Sequence, residues 1–227
     1  MKNVKLFSYQ VLIFLVISGC GISSKSDPST GPEMIKASIN YHDPEGQWTN
    51  FKGTLFFEDS LPPHREDRVY QVELDNSNSE MTYSIEGLKY QVIQDSVVNL
   101  EGEVEEERAL RMRNYYTYLW GLPMKLNDPG TIIEEEVSDE ILNGKTYHVI
   151  RIPYEKDIWY FYLEPETYRM AAYKFYQDEP NEKGEIIYLD GELEHNGMKI
   201  PQNRTWYRTE IPEFLATDKL VKIEGEN

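Results

Sequence analysis

The chain has 227 residues and a formal net charge of −17, with 40 acidic against 23 basic side chains. A surface of this sign repels nucleic acid and anionic lipid headgroups, which excludes a protein that binds either of them through charge. The single cysteine excludes a disulfide-stabilised fold, and the 17 tyrosines favour a strand-rich domain with a sizeable core.

The first 20 residues have the pattern of a secretory signal. Lys2 and Lys5 precede an apolar run over residues 11–17, which is too short to span a bilayer. The run leads to Gly19-Cys20, and this order of apolar, small, Gly and Cys resembles the bacterial lipobox. We therefore expect a lipoprotein signal peptide over residues 1–19, cleavage between Gly19 and Cys20, and diacylglycerol and palmitate chains on Cys20. With its thiol acylated, Cys20 is not available for redox or metal chemistry.

A polar segment follows the cysteine. Residues 20–31 are rich in serine and glycine and contain a proline, so they predict a flexible tether. Thr30 and Glu33 then form a capping box, and apolar residues at helical spacing predict a helix of about ten residues that ends before Pro44. We expect a single domain over residues 32–227.

Alternating apolar residues predict strands after this helix. The alternation is clear over residues 51–57, 70–74 and 81–85, and it returns after residue 130 until the end of the chain. Asn143-Gly144 and Asn196-Gly197 predict two-residue hairpin turns, the first of them between strands at 131–137 and 145–154. The last predicted strand covers residues 220–223. The total is about ten or eleven antiparallel strands.

A second predicted helix interrupts this meander between about Glu103 and Trp120. Its first turn is acidic and its middle carries three arginines, an order that suits the helix dipole. Gly121 and Leu122 match a Schellman-type stop, and Pro123 prevents continuation.

Four sets of short stretches are distinctive: Tyr41-His42-Asp43-Pro44 followed by Trp48 and Phe51; Tyr118 to Leu126 running to Asp128-Pro129-Gly130-Thr131; Asp157 to Tyr162; and Lys199-Ile200-Pro201 with Trp206-Tyr207. Together they resemble an uncharacterised family of lipoproteins from Bacteroidetes-type bacteria, a domain of unknown function. More distantly, the order of elements is similar to the lipoprotein-carrier (LolA/LppX-like) superfamily. That resemblance implies an α+β, mostly β fold: a curved antiparallel meander, or incomplete barrel, with two helices packed on its concave side over a cavity that accepts acyl chains.

The connector after the second helix is unusually apolar for a segment that contains a proline. One interpretation is a loop packed over the core, and the other is a mobile flap over a cavity mouth, where methionine and tryptophan offer an adaptable surface. The second interpretation gives the candidate ligand-binding residues Tyr116, Trp120, Leu122, Met124 and Leu126.

Catalytic signals are weak. His42-Asp43 is compatible with a base and its orienting acid, but an aspartate before proline is also a common turn opener. The histidines follow no metal-ligand spacing, and nucleophile, phosphate-loop and dinucleotide motifs are absent from the sequence. We therefore expect no metal and no cofactor, and we favour a binding protein over an enzyme.

The sequence thus predicts a lipid-anchored envelope protein that binds or carries a hydrophobic ligand, an acyl chain or a lipid, in a half-barrel cavity. One alternative is a glycan-binding or envelope-assembly module that uses exposed tyrosine and tryptophan side chains. A second alternative is a hydrolase with a carboxylate pair or the His42-Asp43 pair. The expected partners are the membrane, through the N-terminal lipid, and a hydrophobic molecule, with no nucleic acid. Because no acidic pair follows Cys20, we expect the periplasmic face of the outer membrane.

Overall fold

The structure, a computed structural model, describes residues 27–225. These residues form one antiparallel sheet of twelve strands with two α-helices, α1 (Gly31–His42) and α2 (Glu106–Asn114). A five-residue π-helical turn, Tyr115–Leu119, continues α2 directly. The strands are β1 (Lys52–Asp59), β2 (Arg68–Asp75), β3 (Glu80–Ile85), β4 (Leu88–Ile93), β5 (Ser96–Glu101), β6 (Val137–Leu142), β7 (Lys145–Pro153), β8 (Ile158–Leu163), β9 (Met170–Asp178), β10 (Lys183–His195), β11 (Met198–Arg208) and β12 (Phe214–Gly225).

The strand order is β5-β4-β3-β2-β1-β12-β11-β10-β9-β8-β7-β6, which places the first and the last strand side by side in the middle of the sheet. Each half is a plain meander, and the halves join where β1 pairs with β12. Since β5 and β6 lie at opposite edges, the connection over residues 102–136 has to cross the width of the sheet. This crossing connection carries α2 and the apolar stretch after it.

The capping box predicted for α1 is confirmed. The Glu33 backbone N–H donates to the Thr30 hydroxyl at 3.5 Å, and the Thr30 backbone N–H donates to the Glu33 carboxylate at 3.3 Å. The two predicted Asn-Gly turns are also confirmed, with positive φ at both residues of each, as a type I′ turn requires.

Three strand predictions differ from the structure. β4 and β5 were not predicted, the last strand begins at Phe214 and not at residue 220, and the predicted strand at 131–137 is wrong. A two-residue turn at Asn143-Gly144 requires its first strand to run up to residue 142, so β6 occupies Val137–Leu142 and the preceding residues belong to the crossing connection.

The Schellman-type stop at Gly121 is also wrong, because Gly121 does not have the positive φ that this motif needs. The position needs a glycine for a steric reason, because a Cβ atom there would lie 2.1 Å from the indole Nε1 of Trp48. Trp48 in turn donates a hydrogen bond from Nε1 to the Thr117 carbonyl at 3.2 Å.

Both helices and the crossing connection pack on one face of the curved sheet, called here the covered face. Ala109 and Tyr116 pack against β1–β4, and Ile35 packs with Leu122 against β7–β10. The opposite, outer face carries a smaller apolar cluster around Tyr162. No helix within residues 27–225 is both long enough and apolar enough to cross a membrane.

Candidate ligand-binding site

Four charged side chains form a row across the covered face, at consecutive positions on β11, β12, β1 and β2. Arg204 lies opposite Asp218, and Asp59 lies opposite Arg68. The β1–β12 register, which pairs residue 57 with 220 and residue 60 with 217, places Asp59 opposite Asp218. This charged row therefore reads plus, minus, minus, plus, and its two carboxyl groups are neighbours.

Hydrogen-bond donors surround the two carboxyl groups of the charged row. Arg68 donates to the Asp59 carboxylate at 2.5 Å, and the Tyr70 hydroxyl donates to the same group at 3.2 Å. Asp218 accepts from the Trp206 indole at 2.8 Å and from the Tyr115 hydroxyl. Cross-strand like charges are unfavourable, so these donors stabilise a carboxyl pair that would otherwise be costly to bury.

Burial changes the proton affinity of this pair. It raises the pKa of Asp59 to about 7, and the Asp218 carboxylate opposite adds to the rise, while Arg68 lowers it. Burial also raises the pKa of Asp218, against the hydrogen bonds from Tyr115 and Trp206. Two close carboxyl groups in a low-dielectric site share protons in this way because both cannot be charged cheaply.

The charged row also fixes the crossing connection to the sheet. Arg204 is fully buried, its guanidinium stacks 4.3 Å from the Trp120 ring, and it donates to the Leu119 carbonyl at 2.5 Å. A cation at the C-terminal end of a helical segment pairs with carbonyls that have no partner in the helix. Arg204 therefore holds the C-terminal end of the π-helical turn through the Leu119 carbonyl. Asp218 holds its N-terminal end through the Tyr115 hydroxyl.

A pocket of about 310 Å³ opens between α2, the π-helical turn and the strands beside the charged row. Its walls are mainly apolar and aromatic, and charged groups lie at its floor and mouth. We call it the helix-side pocket, and its lining includes Met112, Tyr115, Tyr116, Trp206, Leu215, Ala216 and Asp218. Its size lies at the lower end of the range for small-molecule sites.

The five predicted ligand-binding residues are all buried, and they occupy two kinds of position. Tyr116 is 2% exposed and lines the helix-side pocket. The other four pack in the core under the crossing connection, where Trp120 and Leu122 are 0% exposed. The topology explains the apolar character of this connector, since it crosses the middle of the covered face. The ligand-binding role of the five residues stays a prediction.

His42 and Asp43 each bond to the main chain and not to each other. The backbone N–H of Met170 donates to His42 Nε2 at 3.2 Å, so Nδ1 carries the proton that reaches the Lys199 carbonyl at 2.6 Å. Burial lowers the pKa of His42 to about 4, which keeps the ring neutral. The Asp43 carboxylate accepts from the backbone N–H groups of Gln47 and Trp48, both at 2.8 Å. This geometry gives both side chains a role in joining chain segments.

The charged row was not predicted from the sequence, although a signal was present. In β1, Leu55 and Phe57 alternate as buried residues, and Asp59 occupies the next position of the same phase. Asp218 precedes the buried Leu220 in the same way. The signal was therefore a charged residue at a core-facing position of a strand.

Several predictions lie outside the described residues: the signal peptide, the cleavage point at Gly19, the lipid attachment at Cys20 and most of the tether. Among those that are described, no group of three or more His, Cys, Asp or Glu side chains is placed to hold a metal ion.

The profile of a family of unknown function, DUF6503, matches residues 10–223. The chain belongs to this family, and the resemblance drawn from the sequence is confirmed. No curated protein matches the chain at a significant level.

Solved structures share the fold. A LolA superfamily protein from Nitrosomonas europaea is 12% identical, with a TM-score of 0.55 over 88% of this chain and 95% of that one. A domain assigned to outer membrane lipoprotein sorting, from Vibrio parahaemolyticus, is 10% identical, with a TM-score of 0.52 over 86% of this chain and 92% of that one. A DUF1329 family protein from Desulfovibrio piger is 6% identical, with a TM-score of 0.50 over 88% and 94%. The fold is therefore LolA-like, and at these identities the likeness shows the fold alone.

Proposed function

We propose that this chain is a lipid-anchored envelope protein that binds an acyl chain or another hydrophobic molecule in the helix-side pocket. The observation that supports this proposal is the position of that pocket: it lies between the crossing connection and the sheet of a LolA-like fold, and its walls include Met112, Leu215 and Ala216.

The size of the pocket limits how much of a ligand it can enclose in this conformation. About 310 Å³ holds only part of a long acyl chain, so the rest needs space that α2 now fills. The bonds to the charged row come from Tyr115 and Leu119 of the π-helical turn and not from α2, and of the nine residues of α2 only Ala109 is buried. We expect α2 to move away from the sheet when a ligand enters.

A loading experiment tests the pocket. Residues 25–227, which contain every helix and strand of the described fold, are incubated with palmitate, and native mass spectrometry and displacement of a fluorescent fatty acid measure binding. Ala216→Trp fills the pocket and should weaken binding at least tenfold, a loss of about 1.4 kcal/mol. Met112→Asp, which places a charge in the wall, should do the same.

Val98→Trp is the matched control, because Val98 is 43% exposed on the edge strand β5, away from the pocket. Circular dichroism confirms that each variant folds. If the unmodified fragment takes up no lipid, or if Ala216→Trp and Met112→Asp load as well as Val98→Trp, the proposal is wrong.

The proposed anchor needs its own test. Cells that express the full chain are fed an alkyne-labelled palmitate, and the chain should carry the label and sediment with membranes. Cys20→Ser should lose the label and most of the membrane-bound fraction, because the lipid is the proposed attachment. Resistance to protease in intact cells, followed by cleavage after the outer membrane is opened, would support the periplasmic face. A chain that keeps its label after Cys20→Ser would contradict the anchor site.

A further inference from the structure

The outer face of the sheet carries a second cavity, larger than the helix-side pocket. It has a volume of about 700 Å³ and lies across β6 and β8–β11, between the β6–β7 turn and the loop after β11. We call it the tyrosine groove, and the residues used below are Glu140, Tyr162, Lys174, Tyr188, Tyr207 and Arg208.

Tyrosines dominate the groove because they occupy many of the outward-facing positions of these strands. Tyr162 and Tyr188 lie on either side of Ala172, the residue opposite both of them in the pairing of β8 with β9 and β9 with β10. Tyr188 and Tyr207 meet edge to face, with ring centroids 5.9 Å apart and an interplanar angle of 73°. Tyr188 and Tyr207 are only partly buried, so ring surface and hydroxyl groups remain available to a ligand.

The charged side chains of the groove compensate one another. Lys174 lies 3.4 Å from the Glu140 carboxylate, and its ammonium is within 4.8 to 5.4 Å of three tyrosine ring centroids. The Tyr162 hydroxyl donates to the same carboxylate at 2.6 Å. Arg208 pairs with Glu213 at 2.9 Å. Each charge that lines the groove therefore already has a partner, and the groove is close to electrically neutral.

These features select a class of ligand. A sugar ring presents an apolar C–H face and a rim of hydroxyl groups, whereas a tyrosine offers an apolar ring and a polar tip. An acyl chain would displace water from the carboxylate, ammonium and hydroxyl groups of the groove and offer no hydrogen bond in return, at a cost in free energy. A polyanion would meet compensated cations on a chain of net charge −17. We propose that the tyrosine groove binds a neutral oligosaccharide.

This site is separate from the pocket of the proposed function. Tyr207 points to the outer face, and its neighbour Trp206 points to the covered face, where it lines the helix-side pocket. Alternation along β11 thus assigns adjacent residues to two sites, and changes at one need not affect the other. The protein would bind a hydrophobic molecule on one face and a glycan on the other.

The test begins with an array of neutral and anionic oligosaccharides, probed with residues 25–227, and continues with calorimetry on the best ligand. Tyr188→Ala and Tyr207→Ala should each weaken binding by roughly tenfold, since central aromatic residues account for most of the affinity of a binding site. Tyr207→Phe keeps the ring and should stay within about threefold of the unmodified protein.

Tyr41→Ala is the matched control, because it removes a half-buried tyrosine from α1, on the covered face. Palmitate loading should be unchanged in the Tyr188 and Tyr207 variants, which separates a failure of this site from a failure of the helix-side pocket. Should either alanine variant not fold, hydroxyl-radical footprinting of the unmodified protein takes its place, with ligand protection expected at Tyr188 and Tyr207 and none at Tyr41.

Four outcomes would overturn the proposal. The first is an array without a neutral ligand, the second is a preference for anionic glycans, and the third is binding that the Tyr188 and Tyr207 changes leave intact. Occupation of the groove by a protein segment, detected as crosslinks to these residues in cells, would equally replace the glycan.

Discussion

At the scale of single residues, the most informative feature is the charged row in the middle of the covered face. Arg204, Asp218, Asp59 and Arg68 combine two cations with two carboxyl groups, and the two carboxyl groups lie side by side next to the helix-side pocket. A sheet that had only to be stable would have apolar residues at these positions, because a buried ion pair is often no better than hydrophobic packing. The row instead provides hydrogen-bond partners for the crossing connection, which apolar side chains do not offer.

The raised pKa of Asp59 predicts how stability depends on pH. The folded protein holds this proton up to a pH of about 7, whereas an unfolded chain releases it near pH 3.9. Asp59 therefore contributes stability at low pH that is lost as the pH rises through about 7. Asp59→Asn removes the titration, so the melting temperature of the variant minus that of the unmodified protein should increase between pH 5 and pH 8.

Thermal unfolding at several pH values measures this difference, and each 1 kcal/mol corresponds to about 2–4 °C for a domain of this size. His42, whose pKa is lowered to about 4, titrates with the opposite sign but is present in both proteins, so its effect cancels. Asp190→Asn, at an exposed carboxyl group, serves as the control. A difference that stays constant with pH would show that Asp59 does not hold its proton near neutrality.

At the scale of elements, the crossing connection explains the most unusual stretch of the sequence. The proline-containing segment after α2 is apolar because it lies over the centre of the sheet, where Trp120, Leu122 and Leu126 are at most 1% exposed. The sequence could predict that this stretch is buried or mobile, but the choice depends on the strand order. Only the placement of β5 and β6 at opposite edges requires the connection to cross the sheet.

Gly121 shows how closely this connection approaches its neighbours. Gly121→Ala would drive a methyl group into the indole of Trp48, so we expect a loss of roughly 1–3 kcal/mol in the free energy of unfolding, as for other overpacked cores. Urea unfolding gives this value. In a Trp48→Phe background the smaller ring leaves room, and the cost of Gly121→Ala should fall by at least half. Equal costs in both backgrounds would rule out the contact with Trp48 as the cause.

The strands show which elements the sequence can predict. The capping box of α1 and the Asn-Gly turns were predictable because their signals are local and their geometry needs particular residues. Leu88, Tyr90 and Val92 also alternate in β4, so that strand left a signal in the sequence. β5 left almost none, since none of its six residues is buried. The charged row was beyond reach as a group, because its members come from four strands whose pairing is not a local property.

At the scale of the whole molecule, the fold has two meanders that join at a single pairing, β1 with β12, and two free edges at β5 and β6. The charged row spans this junction, with Arg68 and Asp59 on one side and Asp218 and Arg204 on the other. Backbone pairing and the hydrogen bonds of the charged row therefore meet at the same place. The covered face and the outer face give the domain two cavities of different chemistry, one against α2 and one open to solvent.

This architecture predicts a gradient of local stability from the centre of the sheet to the β5 edge. β1 lies between two partner strands and its side chains are packed in the core, whereas β5 pairs only with β4 and has no buried residue. Local opening costs little where few contacts are lost, so β5 amides should exchange with solvent on the order of a hundredfold faster than those of β1 and β12. Hydrogen exchange followed by mass spectrometry measures this ratio, with the exposed residues 64–67 as the fast reference. Exchange in β5 as slow as in β1 would mean that the edge is covered, by a second copy of the chain or by another partner, and that the sheet is not open there.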